Sequence, residues 1–205
     1  AVARIKGLPA WAKIVKEAVR ALAKLPEGDQ VLRVWNREVT LSRSDVETAR
    51  RRAKRSGRAH NVARESFARE LMDVLALRLA REAGDTDSEG GVDPEVKRSW
   101  LIEIRDSVDC RRAINTAWMP TSAGTLLRRL YARPEVLAAA NRKAGSPLRP
   151  DELAALVRPR SAPWTVSDVP ILDECEELLG PMPTSSASSR ETDEGAVKRA
   201  REAIE

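Results

Sequence analysis

The sequence predicts a mainly α fold: a multi-helix domain with one small β-hairpin. Three observations predict it. Apolar residues recur at spacings of three and four along most of the chain, aromatic residues make up only 3%, and 42% of the 205 residues are hydrophobic. A core of Leu, Val, Ile and Ala at this length is enough for one large or two small domains, and such a core favours helices.

The first helix is expected between Pro9 and Leu25, because its apolar residues repeat with helical spacing after a proline that suits a helix start. Its apolar face consists of Trp11, Ile14, Val15, Ala18, Val19 and Leu22. Alternation from Val31 to Leu41 then predicts a hairpin with a two-residue turn at Asn36 and Arg37. That hairpin would place on one face Leu32, Val34, Val39 and Leu41.

Two further helices follow the hairpin. Ser44 with Glu47 three residues later has the pattern of a capping box and predicts a basic helix to about Ser56, ended by Gly57. Asn61 is expected to cap a longer helix that ends at Gly84. The predicted buried stripe of this longer helix consists of Phe67, Leu71, Val74, Leu75 and Leu79.

The acidic, Gly-rich stretch 84–93 is expected to be a flexible surface loop and a subdomain boundary. It would separate a basic helical subdomain with the hairpin, 1–83, from a subdomain of short helices, 94–180. The short helices are predicted from Pro94 through Ile104 towards Trp118, after Thr121, from Pro134 to Lys143, from Pro150 to Val157, and around Ile171 to Leu179. Composition predicts a disordered acidic loop at 181–195, and 196–205 is interpreted as the start of a truncated helix.

Targeting signals and cysteine usage point to the cytoplasm. No apolar run is long enough to cross a bilayer, and the N-terminal sequence lacks the pattern of a signal peptide, so no membrane partner is expected. Cys110 and Cys175 stand alone and far apart, which favours small buried side chains over a disulfide or a zinc site.

Motifs for enzymatic chemistry are absent from this sequence. It contains no GxxxxGK[ST], GxSxG or HExxH pattern, so nucleotide hydrolysis by this chain alone is not expected. For His60, the single histidine, a surface capping role is preferred to catalysis. The acidic run at 173–177 is interpreted as a hydrated face rather than a metal site. We therefore predict no catalytic, cofactor-binding or metal-binding residue.

The charge distribution suggests a binding surface instead. Residues 1–83 carry 19 Lys and Arg against 10 Asp and Glu, whereas 165–205 carry 4 against 10. The candidate phosphate or partner contacts of the basic helix are Arg50, Arg51, Arg52, Lys54, Arg55 and Arg58. No aromatic residue is interleaved for base stacking, so a solvated or protein-contacting face is preferred to nonspecific phosphate contact.

The five tryptophans are too widely spaced to form one motif. We interpret them as anchors of separate small helical layers, which is the common role of a large aromatic side chain. For the region after Trp164 we expect packing rather than a ligand site, since apolar residues recur on one side of a helix and its lead-in. These packing residues are Trp164, Val169, Ile171, Leu172, Leu178 and Leu179.

Two segments resemble a known family. They are GRAHNVARESFARELMDVL around Arg58 and APWTVSDVPILDECEELLG at Trp164, supported by RRAINTAWMPTSAGTLLRRLYARPEVLAAA and DELAALVRPRSAPW. The chain resembles the insertion domain in the first motor lobe of HelD-class proteins of actinobacterial type. These are helicase-like ATPases related to UvrD and Rep, in superfamily one. The resemblance covers nearly all of residues 1–180.

The resemblance implies a larger parent protein. It would carry a nucleotide-binding motif upstream and a DEAQ-like motif downstream, bind ATP and Mg²⁺, and release RNA polymerase from nucleic acid; some relatives protect the polymerase from rifamycins. This segment would contact RNA polymerase and would hold no cofactor itself. The resemblance also implies a loop that enters a polymerase channel after the Trp164 helix, with candidate acids Glu191, Asp193 and Glu194. The alternative is a helical DNA-binding module that contacts phosphates through the Arg-rich helix.

Overall fold

The computed structural model describes residues 2–87 and 89–183. Within them the chain forms ten α-helices and one antiparallel hairpin, which confirms the predicted fold class. The helices are α1 (Val2–Lys6), α2 (Ala10–Arg20), α3 (Arg43–Arg55), α4 (His60–Ala83), α5 (Pro94–Asp106), α6 (Val108–Ala117), α7 (Ala123–Ala132), α8 (Pro134–Lys143), α9 (Pro150–Ala155) and α10 (Val169–Leu179). The strands are β1 (Gln30–Val34) and β2 (Arg37–Leu41), and a short 3-10 helix covers Val166–Asp168. In this part of the chain, no helix combines the length and the apolar run that crossing a bilayer requires.

The described residues form two compact units. Unit 1 contains those up to Leu22, Ala59–Val62, and those from Pro120 onward, and unit 2 contains Ala23–Arg58 and Ala63–Met119. The sequence boundary predicted at 84–93 lies inside unit 2, because α4 and α5 contribute side chains to the same core. The composition of 84–93 indicates an exposed loop but not a boundary, because the helices that this loop joins, α4 and α5, share one core.

In unit 1, α2 packs against α8 and α10, and α10 also contacts α7. Every residue predicted on the apolar face of α2 is buried. Trp11 lies edge-to-face against Tyr131, with ring centroids 6.2 Å apart. Helix α10 ends before Gly180, whose φ of +68° suits glycine, and this confirms the predicted stop.

A buried ionic cluster surrounds Asp168 in unit 1. Its carboxylate is fully buried and forms ion pairs with Lys6 Nζ at 2.8 Å and Arg158 Nη2 at 2.9 Å. It also accepts hydrogen bonds from Tyr131 Oη at 2.9 Å and from the N–H and Oγ1 of Thr165 at 2.9 and 2.7 Å. Burial alone would raise the pKa of Asp168, but the hydrogen bonds from Lys6 and Thr165 and the charge of Arg158 outweigh it and lower that pKa below its ordinary value.

The hairpin of unit 2 turns one residue earlier than predicted. The register pairs Val34 with Arg37, so the turn residues are Trp35 and Asn36 rather than Asn36 and Arg37. Shifting the turn changes the cross-strand partners but keeps the alternation within each strand. The four residues predicted to share a face are therefore all buried, as expected: Leu32, Val34, Val39 and Leu41.

Trp35 corrects the expectation that every tryptophan anchors a core. It is 72% exposed at the hairpin turn and has a φ of +51°, which is unusual for a bulky residue. Trp11, Trp100 and Trp118 are buried as expected, and Trp164 is half-buried. Trp35 comes directly after the last residue of β1, Val34, and is one of the two turn residues, so its side chain lies outside the core.

The start of α3 also differs from the prediction. Its N-cap is Ser42, and the capping box pairs Ser42 with Asp45: the Asp45 N–H donates to Ser42 Oγ at 3.1 Å, and the Ser42 N–H donates to Asp45 Oδ2 at 2.9 Å. The predicted box of Ser44 and Glu47 is wrong because β2 ends at Leu41, which leaves Ser42 as the extended residue that can cap. The predicted end at Gly57, with a φ of +65°, is confirmed.

Helix α4 begins at His60, so the predicted cap at Asn61 is wrong. His60 is only 7% exposed, which corrects the expected surface role. Asn61 instead binds within unit 1: Nδ2 donates to the carbonyls of Thr121 at 3.1 Å and Gly180 at 3.0 Å, and Oδ1 accepts from the Thr121 N–H at 3.1 Å. The predicted end at Gly84 is confirmed. The residues of the predicted buried stripe are all buried except Val74, which is half-buried.

The region predicted as one helix towards Trp118 is two helices, α5 and α6. Ser107 separates them with extended backbone, and its Oγ accepts from the Cys110 N–H at 3.2 Å, which caps α6. Helices α7 to α10 lie where the sequence predicts them, whereas α1 was not predicted. Cys110 and Cys175 are buried free thiols, as expected.

Candidate functional site

The outer face of α3 in unit 2 is the strongest candidate for a binding surface. The inner stripe of this helix, Val46, Ala49 and Ala53, is buried in the core of unit 2. Residues three and four apart are neighbours on a helix surface, and this spacing links positions 47, 50, 51, 54 and 55 into a single face. They are Glu47, Arg50, Arg51, Lys54 and Arg55. Four cations and one acid therefore share this face.

These side chains surround an open cleft of about 430 Å³ together with Leu25. Leu25 is half-buried and also borders a second cavity of about 420 Å³. The second cavity is lined by Lys24, Leu25, Pro26, Glu27, Gly28, Asp29, Gln30, Val46, Ala113, Thr116 and Ala117. The surface thus joins a cationic helix face to a cleft beside Leu25, and Leu25 also borders a second cavity whose lining includes Glu27 and Asp29.

Most of the cationic charge on this face is not neutralised within unit 2. Arg50 and Arg55 make no ion pair with a carboxylate in residues 2–87 and 89–183, and Arg51 reaches only Thr48 Oγ1, at 3.5 Å. Glu47 is the single acid that lines the cleft. A surface on which cations outnumber acids attracts an anionic partner, and the attraction weakens as salt rises. We name Arg50, Arg51, Lys54 and Arg55 the α3 basic face.

The N-terminal end of α3 is held firmly, which fixes the direction of this face. Arg78 on α4 forms two bonds with the Asp45 carboxylate, at 2.6 and 2.9 Å, and donates to the Thr40 carbonyl at 2.6 Å. Burial alone would raise the pKa of Asp45, but the hydrogen bonds from Arg78 and Ser42 outweigh it and lower that pKa. The α3 basic face is therefore built on a rigid element rather than on a loop.

The structure brings together four of the six arginines and lysines that the sequence singled out. Arg52 points elsewhere and pairs with Glu70 on α4, with Nη1 and Oε1 2.7 Å apart. Arg58 lies beyond Gly57, after α3 has ended, and does not line the cleft. Arg52 and Arg58 are close in sequence to the other four residues, but neither lies on the same helix face.

The acids proposed for a channel loop, Glu191, Asp193 and Glu194, lie outside the described residues. Leu25 and the cleft beside it were missed by sequence reasoning. The spacing of positions 47 to 55 could have revealed the helix face, but nothing local could have placed Leu25 against it.

Chemically, the excess of cations on this surface can bind anions. The surface contains no histidine, cysteine or hydroxyl nucleophile beside a base. Among the described residues, no group of three or more His, Cys, Asp or Glu side chains is placed to hold a metal ion. The arrangement therefore supports electrostatic recognition of an anionic partner.

Comparison with known proteins adds no family to this description. No protein-family model matches the chain, and no curated protein matches it.

Proposed function

We propose that this chain is a noncatalytic docking module of a HelD-like ATPase and that it binds RNA polymerase. The observation that carries the proposal is the α3 basic face, in which Arg50, Arg51 and Arg55 make no ion pair with a carboxylate of the described residues, beside the cleft at Leu25. A surface that combines arginines with an apolar centre suits a protein partner, because arginine is enriched at interfaces and apolar contact supplies affinity there. The resemblance to HelD-class insertions supplies the identity of the partner.

The chemistry of the face favours a protein over a nucleic acid. No aromatic side chain lines the cleft, so a base would find nothing to stack on, and Glu47 would repel phosphates. An acidic protein surface with one protruding apolar side chain would pair with the cations of the α3 basic face and fill the cleft at Leu25. The partner surface is thus expected to be acidic at its rim and apolar at its centre.

Binding of the purified chain to core RNA polymerase tests the proposal directly. The test variant reverses three charges of the face, Arg50→Glu, Arg51→Glu and Arg55→Glu. The control reverses three other exposed arginines of unit 2, Arg69→Glu, Arg81→Glu and Arg105→Glu. We expect the test variant to lose at least about tenfold in affinity at moderate salt, since like charges at an interface cost several kcal/mol. Equal affinities for the two variants, or no binding of the unaltered chain, would refute the proposal.

The second candidate is binding of duplex DNA through the same face. The spacing of its four cations favours this reading, because it lets one helix lie along several phosphates. Full neutralisation of four phosphates would give log K a slope of about −3.6 against log salt. The affinity for a random DNA duplex, measured from low to moderate salt, distinguishes DNA binding from polymerase binding. A slope near that value, lost in the test variant and kept in the control, would favour DNA over polymerase.

A further inference from the structure

Trp35, at the hairpin turn of unit 2, is exposed and strained at the same time. It is 72% exposed, whereas large aromatic residues are usually buried for the most part. Of the two turn residues, Trp35 and Asn36, only Trp35 has a positive φ, +51°. A two-residue turn of this pattern favours glycine at its first position. Trp35 therefore keeps a conformation that costs stability, and no burial of its ring in the core offsets that cost.

The base of this turn is held in place on both strands. On β1, the Arg33 carbonyl accepts from Ser107 Oγ at 2.6 Å, and the Arg33 N–H donates to Asp109 Oδ2 at 3.1 Å. On β2, Arg37 Nη1 donates to the Glu82 carbonyl at 3.4 Å. The indole ring is thus presented from a fixed support, so a partner that binds it does not first have to order a loop.

The charges at the base of the turn cancel. Arg33 pairs with Glu38 on the opposite strand, with Nη2 and Oε1 3.6 Å apart. Arg37 and the Asp109 carboxylate add one charge of each sign, so these four side chains have no net charge. Binding of nucleic acid or of an anionic membrane depends on an excess of cations, which the turn does not have. An exposed indole on an uncharged support suits an apolar pocket of a protein, because tryptophan is enriched among the residues that dominate protein–protein affinity.

We propose that Trp35 is an anchor residue, which inserts its indole ring into an apolar pocket of the protein partner proposed above, core RNA polymerase. The inference rests on the proposed function, because it adds a second contact with the same partner. The α3 basic face speeds the encounter with an acidic surface, and the buried ring of Trp35 slows dissociation of the complex. Strained residues cluster at ligand-binding sites, which agrees with a conformation retained for binding rather than for folding.

Replacement of Trp35 by glycine tests this inference, because binding and folding are expected to respond differently. Trp35→Gly removes the ring and introduces the residue that the turn favours, so its melting temperature should be no lower than that of the unaltered chain. Its dissociation constant for core RNA polymerase should rise at least about tenfold, mostly through faster dissociation. Trp35→Phe keeps an aromatic ring and should have an intermediate affinity. The control, Val157→Ala, shortens an exposed apolar side chain of unit 1 and should leave the affinity unchanged.

The failure of the anchor and the failure of polymerase docking give different results. If the charge reversal on the α3 basic face weakens binding and Trp35→Gly does not, the anchor alone is wrong. If the unaltered chain does not bind polymerase, both proposals are wrong. A clearly lower melting temperature of Trp35→Gly, or an equal loss of affinity in the control, also overturns the anchor.

Two other probes test the choice of a protein as the occupant. They are a single-stranded DNA oligonucleotide and vesicles of anionic phospholipid, each titrated with the unaltered chain and with Trp35→Gly. We expect the substitution to change neither titration. Binding of either probe that depends on Trp35 would overturn the assignment of the ring to a protein pocket.

Discussion

Replacing Asp168 by asparagine tests the buried ionic cluster of unit 1. The substitution keeps the shape of the side chain and removes its charge. Lys6 then becomes a cation whose side chain is only 5% exposed and whose counter-ion is gone. Arg158 is 18% exposed and loses its ion pair as well. Breaking one partner of a buried pair costs about 3–5 kcal/mol, because the remaining charge stays desolvated.

Equilibrium urea unfolding followed by circular dichroism measures this loss. The matched control is Asp151→Asn, since Asp151 pairs with Arg149 on the surface of the same unit and is 70% exposed. An exposed pair of this kind contributes about 0–1 kcal/mol. A loss below about 1 kcal/mol for Asp168→Asn, no larger than that of the control, would refute the assigned role of the cluster.

The pH dependence gives an independent measurement of the same interaction. Folding lowers the pKa of Asp168, so the stability it contributes is complete above the pKa of an unfolded aspartate and is lost as pH falls through the lower folded value. The gap in unfolding free energy between the unaltered chain and Asp168→Asn should therefore narrow below about pH 4. A difference in unfolding free energy that stays constant from neutral to acidic pH would contradict the lowered pKa of Asp168.

Three further predictions follow from the packing and from the sequence. Trp164→Ala should cost about 2 kcal/mol, since the half-buried ring packs beneath Arg128, with the guanidinium carbon 4.4 Å from its centroid; an unchanged melting temperature would refute this. Gly180→Ala should cost about 1–3 kcal/mol in urea unfolding, because its φ is +68° and the new Cβ would lie 2.7 Å from that of Ala59; a stability equal to the unaltered chain would contradict the strain. The purified chain should not hydrolyse ATP, since its sequence carries no phosphate-binding loop; turnover that follows the protein through every purification step would contradict this.

Periodic patterns predicted much of the fold. The apolar repeat of α2 and the glycines after α3, α4 and α10 identified these elements correctly, because a helix face and a positive φ are local properties. The turn at Trp35 and the cap at Ser42 were missed for a related reason. Each depends on where a strand ends, and strand ends are set by pairing with a partner strand.

The candidate surfaces were predictable only in part. The basic character of α3 is visible in the sequence, but the separation of Arg52 from its neighbours depends on Glu70, which belongs to another helix. The burial of His60 likewise has no local signal, because a place at a helix start does not show how exposed a side chain is.

The order of the chain through the two units has a consequence for synthesis. Every residue of unit 2 precedes Pro120, whereas α2 of unit 1 packs against α8 and α10, which are made much later. At translation rates of about 5–20 residues per second, the apolar face of α2 waits on the order of ten seconds for α10. A nascent chain therefore holds all residues of unit 2 while Trp11 and its neighbours on α2 still lack their partners from α8 and α10.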